Sequence, residues 1–180
     1  MGRLTHRTLP GATYFVTTKA WQSTSVFQVS EVADIVVEKL LDYRDKGHYL
    51  LHEFVLMPNH LHVILTPSAT TSLEKALQFI KGGSSHKIHG VRECKSQIWQ
   101  SGFHESRISN LSEYSVRSSY VRFNPVTAKL VDDPRKWMYG SASGRFKLNA
   151  IPQGLKPVSV PLANVRPEGP TPNYKSKAQL

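Results

Sequence analysis

Hydrophobic and polar positions divide the first 130 residues into seven segments. Tyr14-Phe15-Val16-Thr17-Thr18 is aromatic and β-branched and predicts a strand. Ser30 is a candidate helix cap with Glu31 in the first turn, and Val32, Ile35, Val36, Leu40 and Tyr43 recur at helical spacing up to Gly47. Tyr49 to Met57 is extended and turns at Pro58-Asn59 into an alternating stretch that runs to Pro67. Two strands joined by so tight a turn form an antiparallel hairpin. Alternation places Leu61, Val63 and Leu65 on one face of the second strand and His60, His62 and Ile64 on the other.

Thr71-Ser72-Leu73-Glu74 has capping-box spacing with Thr71 as the cap, and Leu73, Ala76, Leu77 and Ile80 form an apolar helical stripe behind it. Gly82-Gly83-Ser84-Ser85 predicts that this helix weakens or ends. Gln97 to Ile108 reads as a strand interrupted at Gly102. Asn110-Leu111-Ser112-Glu113 starts a helix that carries Tyr120, and Asn124-Pro125 ends or kinks it. Pro125 then opens a short helix through Leu130-Val131, and Trp137-Met138-Tyr139 is a packing element. Beyond Gly144 prolines punctuate a polar, mildly basic stretch.

Strand, helix, strand, strand, helix, strand is the split βαβ order of a ferredoxin-like α+β fold. The sheet is expected to be antiparallel, with two helices on the Leu61/Val63/Leu65 face. The histidine face is left to the helix bearing Tyr120. Residues 1–148 form one domain in this reading, and 149–180 form a Pro-rich basic tail, extended or disordered.

Charge adds the class of partner. The 180 residues carry a formal net charge of +10, which points to a polyanion, most often nucleic acid. Lys81, His86, Lys87, His89, Arg92 and Lys95 cluster after the second helical stripe as a phosphate-contacting surface. The single cysteine, Cys94, leaves no intramolecular disulfide and fits a reducing compartment. No CxxC, HExxH or Gly-rich phosphate loop occurs, and no apolar run approaches the ~18 residues of a membrane span. With no apolar leader, a cytoplasmic, nucleoid-associated protein without a membrane partner is expected.

Two imidazoles on one strand face can converge on a divalent ion. On the helix, Tyr120 and Asn124 stand at i and i+4, so one face presents a phenol and an amide oxygen together. From spacing alone Tyr120 is equally a core aromatic, Asn124 an ordinary cap before Pro125, and Tyr114 a rival nucleophile.

Met57-Pro58-Asn59-His60-Leu61-His62-Val63, together with Tyr120-Val121-Arg122-Phe123-Asn124-Pro125-Val126-Thr127-Ala128-Lys129-Leu130-Val131, resembles the REP-associated tyrosine transposases. These are domesticated relatives of the single-tyrosine HUH insertion-sequence transposases. Tyr14-Phe15-Val16-Thr17, Trp99-Gln100-Ser101-Gly102-Phe103-His104, Arg107-Ile108 and Trp137-Met138-Tyr139-Gly140-Ser141-Ala142 extend the likeness over residues 9–143. Many members have histidine where Phe15 stands and glycine where Lys129 stands.

The resemblance implies a metal-dependent endonuclease and strand transferase acting on single-stranded DNA near palindromic hairpins. Tyr120 would be the nucleophile that forms a 5′-phosphotyrosine, and His60, His62 and Asn124 would be metal ligands. The ion would be Mg²⁺ or Mn²⁺, although nitrogen-rich ligation ordinarily suits zinc or manganese better than magnesium. Arg3, Arg7, Lys81, Lys87, Arg92, Arg107 and Arg122 are the expected DNA contacts. No nucleotide cofactor is needed, and the active species is a monomer or homodimer. The alternative is a non-catalytic hairpin-DNA-binding protein of the same fold.

Overall fold

The alternation along the second hairpin strand decides the architecture. In a computed structural model, which describes residue 9 and residues 11–93 and 95–156, that strand lies inside a four-stranded sheet. The strands are β1 (Thr13–Lys19), β2 (Tyr49–Met57), β3 (His60–Pro67) and β4 (His104–Ile108), and the helices are α1 (Ser30–Asp45), α2 (Leu73–Arg92) and α3 (Leu111–Thr127). Strand order is β2-β3-β1-β4, with every pairing antiparallel. This is the expected ferredoxin-like arrangement.

Leu61, Val63 and Leu65 are fully buried in one apolar core with Val32, Val36 and Leu40 of α1 and Ala76, Leu77 and Ile80 of α2. On the opposite face a smaller core joins Phe15, Val55, Met57, Ile64 and Ile108 to Tyr114 and Val121 of α3. Two helices thus cover one face and the tyrosine helix the other, as the sequence predicts.

β2 contains a feature its sequence hides. Its register against β3 slips between Leu51 and Glu53, so a β-bulge at His52 changes which parity faces the α1/α2 core. Tyr49 and Leu51 lie in that core, and after the bulge Phe54 and Leu56 do. Glu53, Val55 and Met57 are thereby directed toward α3.

Several expected element ends are corrected. Ser30 is the first residue of α1 rather than its cap, which falls on Val29. Ser72, not Thr71, caps α2 by accepting from the Lys75 amide. α2 does not stop at Gly82-Gly83 but continues to Arg92. Gly83 is there for close approach to α1, since a Cβ at that position would lie 2.6 Å from the Tyr43 hydroxyl. Ser84 stays helical by donating to the Ile80 carbonyl (2.7 Å), and it accepts from Trp99 Nε1 (3.0 Å). The predicted strand over 97–108 is β4 alone, preceded by an isolated bridge from Trp99 to Ala20.

α3 begins where expected. Asn110 Oδ1 accepts from the Glu113 amide, and Glu113 reaches back to the Ser109 amide. It passes through Asn124-Pro125 without ending, and residues 128–131 are turn and irregular chain rather than part of a second helix. Pro125 stands two residues before the last helical residue, where the missing N–H costs a single late bond. Termination falls to Lys129, at φ +58.

Residues 149–156, inside the expected tail, lie along the sheet. The Leu51 amide donates to Asn149 Oδ1, the Asn149 amide donates to the Leu51 carbonyl, and Lys156 bridges to Asn110. Arg3, Arg7 and residues from 157 onward lie outside the described residues. Among those described, no helix is long and apolar enough to cross a membrane.

Candidate active site

His60 enters directly after the two-residue Pro58-Asn59 turn, and that turn is held by two backbone bonds. The Ala20 amide donates to the Asn59 carbonyl (2.8 Å) and the Phe27 amide to the Pro58 carbonyl (3.0 Å). The His60 and His62 rings are 4.6 Å apart between centroids. Tyr120 meets His62 edge-on at 5.2 Å, and its own side chain is about half exposed (48%). Asn124, one turn later, stands near enough to His60 for its side-chain amide to act on that imidazole. It is therefore an interior helix residue facing the histidines rather than a cap. The structure thus gathers His60, His62, Tyr120 and Asn124 on the α3 side of the sheet.

Each imidazole is oriented by a neighbour. His60 Nδ1 lies 2.6 Å from Asn59 Oδ1, an acceptor that requires the Nδ1–H form and leaves Nε2 as the lone-pair nitrogen. His62 Nδ1 lies 2.8 Å from the Thr17 hydroxyl of β1. Its Nε2 is buried and has no hydrogen-bond partner, which is costly unless a further group binds it. Burial pushes His62 down to about 3, helped by the neighbouring His60. His60 is also lowered, by burial first and by the Lys19 cation second, with the Asn124 amide oxygen acting in the opposite direction. Both rings are therefore neutral near pH 7, the state in which an imidazole can donate a lone pair to a metal.

Two ring nitrogens and a carboxamide oxygen make a donor set that fits a divalent ion, and the Thr17 hydroxyl and Asn59 amide behind the rings orient them as histidine ligands are oriented. Among the described residues no cluster of three His, Cys, Asp or Glu side chains competes for that role. His62 is not the free-standing ligand its alternation suggests. It is 4% exposed and stacks on Phe15 at 5.4 Å.

Tyr114, the rival nucleophile, is a core residue. It packs edge-on against His52, and burial first, then the Glu53 carboxylate, push its phenol up to about 12.

The expected basic contacts are dispersed. Lys81, Lys87 and Arg92 belong to α2, on the far face of the sheet from the histidines. Lys81 Nζ donates to the Gln100 and Gly102 carbonyls (2.7 and 2.8 Å), and Lys87 pairs with Glu38. Both ammonium groups are thus engaged within the protein, Lys81 by backbone carbonyls and Lys87 in a surface ion pair. Arg92 is exposed in the last turn of α2. Arg107 borders a cleft with Gly11, Leu50 and residues 152–156, at the end of β1 remote from His60. Arg122 is drawn to Glu53, its Nε 2.9 Å from Oε1, and Glu53 also receives Ser118 (2.9 Å) and Ser141. Arg122 is thus a clamp that fastens α3 to β2.

Sequence reasoning missed Thr17, Asn59, Glu53 and Arg117. Asn59 was visible only as a turn residue. A threonine two positions before Lys19 carries no signal until the β1–β3 register sets it opposite His62.

Comparison with known proteins fits this geometry. Among solved structures, a REP-associated tyrosine transposase bound to a REP hairpin superposes with a TM-score of 0.67, at 19% identity over 84% of this chain and 92% of that one. A candidate transposase from Deinococcus radiodurans R1 is 18% identical over 66% of this chain and 93% of its own, with a TM-score of 0.47. No curated protein matches. The model of the family described as "Transposase IS200 like" matches residues 13–124, from the first residue of β1 to the asparagine that faces His60. That span takes in every strand, the histidine pair and the tyrosine helix, and the chain belongs to the IS200-like transposase family.

Proposed function

We propose that this protein cuts and rejoins single-stranded DNA beside hairpin repeats, with Tyr120 as nucleophile and His60, His62 and Asn124 as the holders of a divalent ion, Mg²⁺ or Mn²⁺. The observation that carries this reading is the placement of Tyr120 edge-on to His62, whose buried Nε2 lacks a partner. Hairpin DNA as substrate class draws on the solved relative bound to a REP hairpin.

His60, His62 and Asn124 would hold the divalent ion, which when bound would supply Lewis acidity toward the scissile phosphate. The chain's own residues do the rest. Thr17 and Asn59 fix the ring orientations, and the half-exposed Tyr120 is reachable by a strand lying on the surface. Tyr120 Oη gives up its proton and bonds to phosphorus, while the bond from phosphorus to the 3′-oxygen breaks. The 3′-oxygen leaves as a hydroxyl after taking a proton, and the 5′-phosphate stays on the tyrosine. One phosphate ester replaces another, so the step reverses without a nucleotide cofactor.

The test uses a hairpin-flanked oligonucleotide labelled on the 3′ side of the cut. Wild type with Mn²⁺ or Mg²⁺ gives a denaturation-resistant protein–DNA band, and chelation removes it. Tyr120→Phe gives no band yet keeps hairpin affinity within a few fold, while Tyr114→Phe still cuts. An undiminished band in Tyr120→Phe overturns the assignment.

A further inference from the structure

Arg117, one turn before Tyr120, is the least explained charge near the site. Its guanidinium carbon stands 4.9 Å over the face of Phe15. Phe15 stacks on His62, and Tyr120 meets Phe15 edge-on at 5.9 Å. No carboxylate pairs with Arg117 among the described residues. A guanidinium seated on an aromatic face keeps its full charge, and its N–H edges stay open to a planar anion.

A second such cation marks the other end of the same strand face. Lys19 pairs across the ladder with His60, as Thr17 does with His62 and Phe15 with Ile64. These odd-numbered residues share the α3 side, so Phe15, Thr17 and Lys19 form one line across the site. Lys19 is exposed, and its charge acts on His60. It too has no carboxylate partner among the described residues. Four residues of strand separate the two ends, about 13 Å at ~3.3 Å per residue. That is longer than one phosphate group, and His62, opposite Thr17 and against Tyr120, lies between.

We infer that the DNA strand runs along β1 over this face, with Arg117 holding a backbone phosphate on one side of the scissile linkage and Lys19 one on the other. The inference rests on the strand-cutting reading above and adds the path of the substrate. Arg117 recognises a phosphodiester through its planar fork, and Phe15 fixes where that fork stands. The α2 basic residues lie off this path, on the other side of the sheet.

The experiment measures equilibrium binding of a fluorescent single-stranded oligothymidylate against salt, with chelator present, in the Tyr120→Phe protein. Each phosphate contact contributes about 0.7 to the slope of log K against log salt for single strands. Arg117→Gln and Lys19→Gln each lower the slope by about 0.7, and together by about 1.4. Arg117→Lys restores the slope, and Lys46→Gln, just past the end of α1, leaves it unchanged. Melting curves matched to the parent show that the variants are folded. Wild-type slopes in both Gln variants, or a loss as large in Lys46→Gln, overturn the inference even where the otherwise wild-type protein forms its tyrosine adduct. Reduced slopes in a protein that never forms the adduct uphold the path and remove only the cutting chemistry.

Discussion

The two faces of the sheet are built from the same strands and differ in what they bury. Toward α1 and α2 the interior is mainly aliphatic and aromatic, from Val16 and Leu61 to Ile80 and Trp99, with only the small hydroxyls of Thr18 and Ser84 buried among them. Toward α3 it is smaller and mixed. There His52, Glu53 and His62 are each under 5% exposed beside Ile64 and Val121. Burying such groups has a cost that hydrogen bonds only partly offset. The first face therefore supplies most of the stability, and the second holds reactive groups in fixed positions. β3 serves both, alternating between them residue by residue.

Adjacent residues on β3 offer the largest contrast. His62→Gln is expected to reduce cutting to background while the melting temperature moves little, because a side chain of similar size refills the space beside Phe15. Leu61→Ala, one residue away, should lose about 2–5 kcal/mol of stability, yet cut normally per folded molecule. Denaturant titration and single-turnover cleavage on the same preparations separate the two. If His62→Gln cuts, the two faces do not divide the labour in this way.

Glu53→Gln probes the polar clamp itself. It weakens the bonds that Arg122, Ser118 and Ser141 make to one carboxylate, and about 1–3 kcal/mol should be lost, toward the lower end because Arg122 is half exposed. Cutting should slow without a matching loss of DNA affinity, since the clamp holds the helix that carries Tyr120. The smallest expected effect is a gain. Lys129→Gly relieves a left-handed backbone at the end of α3 and should raise stability by about 1 kcal/mol. It leaves cutting unchanged.

The parts of this comparison that follow from local pattern were legible in the sequence. Alternation in β3 gave the two faces, the Asn110–Glu113 spacing gave the start of α3, and the i, i+4 spacing set Tyr120 beside Asn124. What was not legible depends on partners distant in the chain. Gly82-Gly83 reads as a break because a glycine's packing role is invisible without Tyr43 opposite. Lys81, Lys87 and Arg122 read as free cations because their acceptors lie 19 to 69 residues away. Arg117 drew no notice because its seat, Phe15, is on another strand.

The bulge at His52 makes the place of a deletion in β2 matter more than its size. Deleting His52 sets Leu51 and Glu53 in succession, as their partners Leu65 and Ile64 already are. Plain alternation then keeps Tyr49, Leu51, Phe54 and Leu56 toward α1 and α2 and Glu53 toward α3. Only the His52 contacts to the Ala150 carbonyl and the Thr66 hydroxyl are lost, and the domain should still fold. Deleting Val55 instead turns Leu56 out toward α3 and Met57 into the aliphatic core. That loss of one residue, three positions further on, should abolish folding.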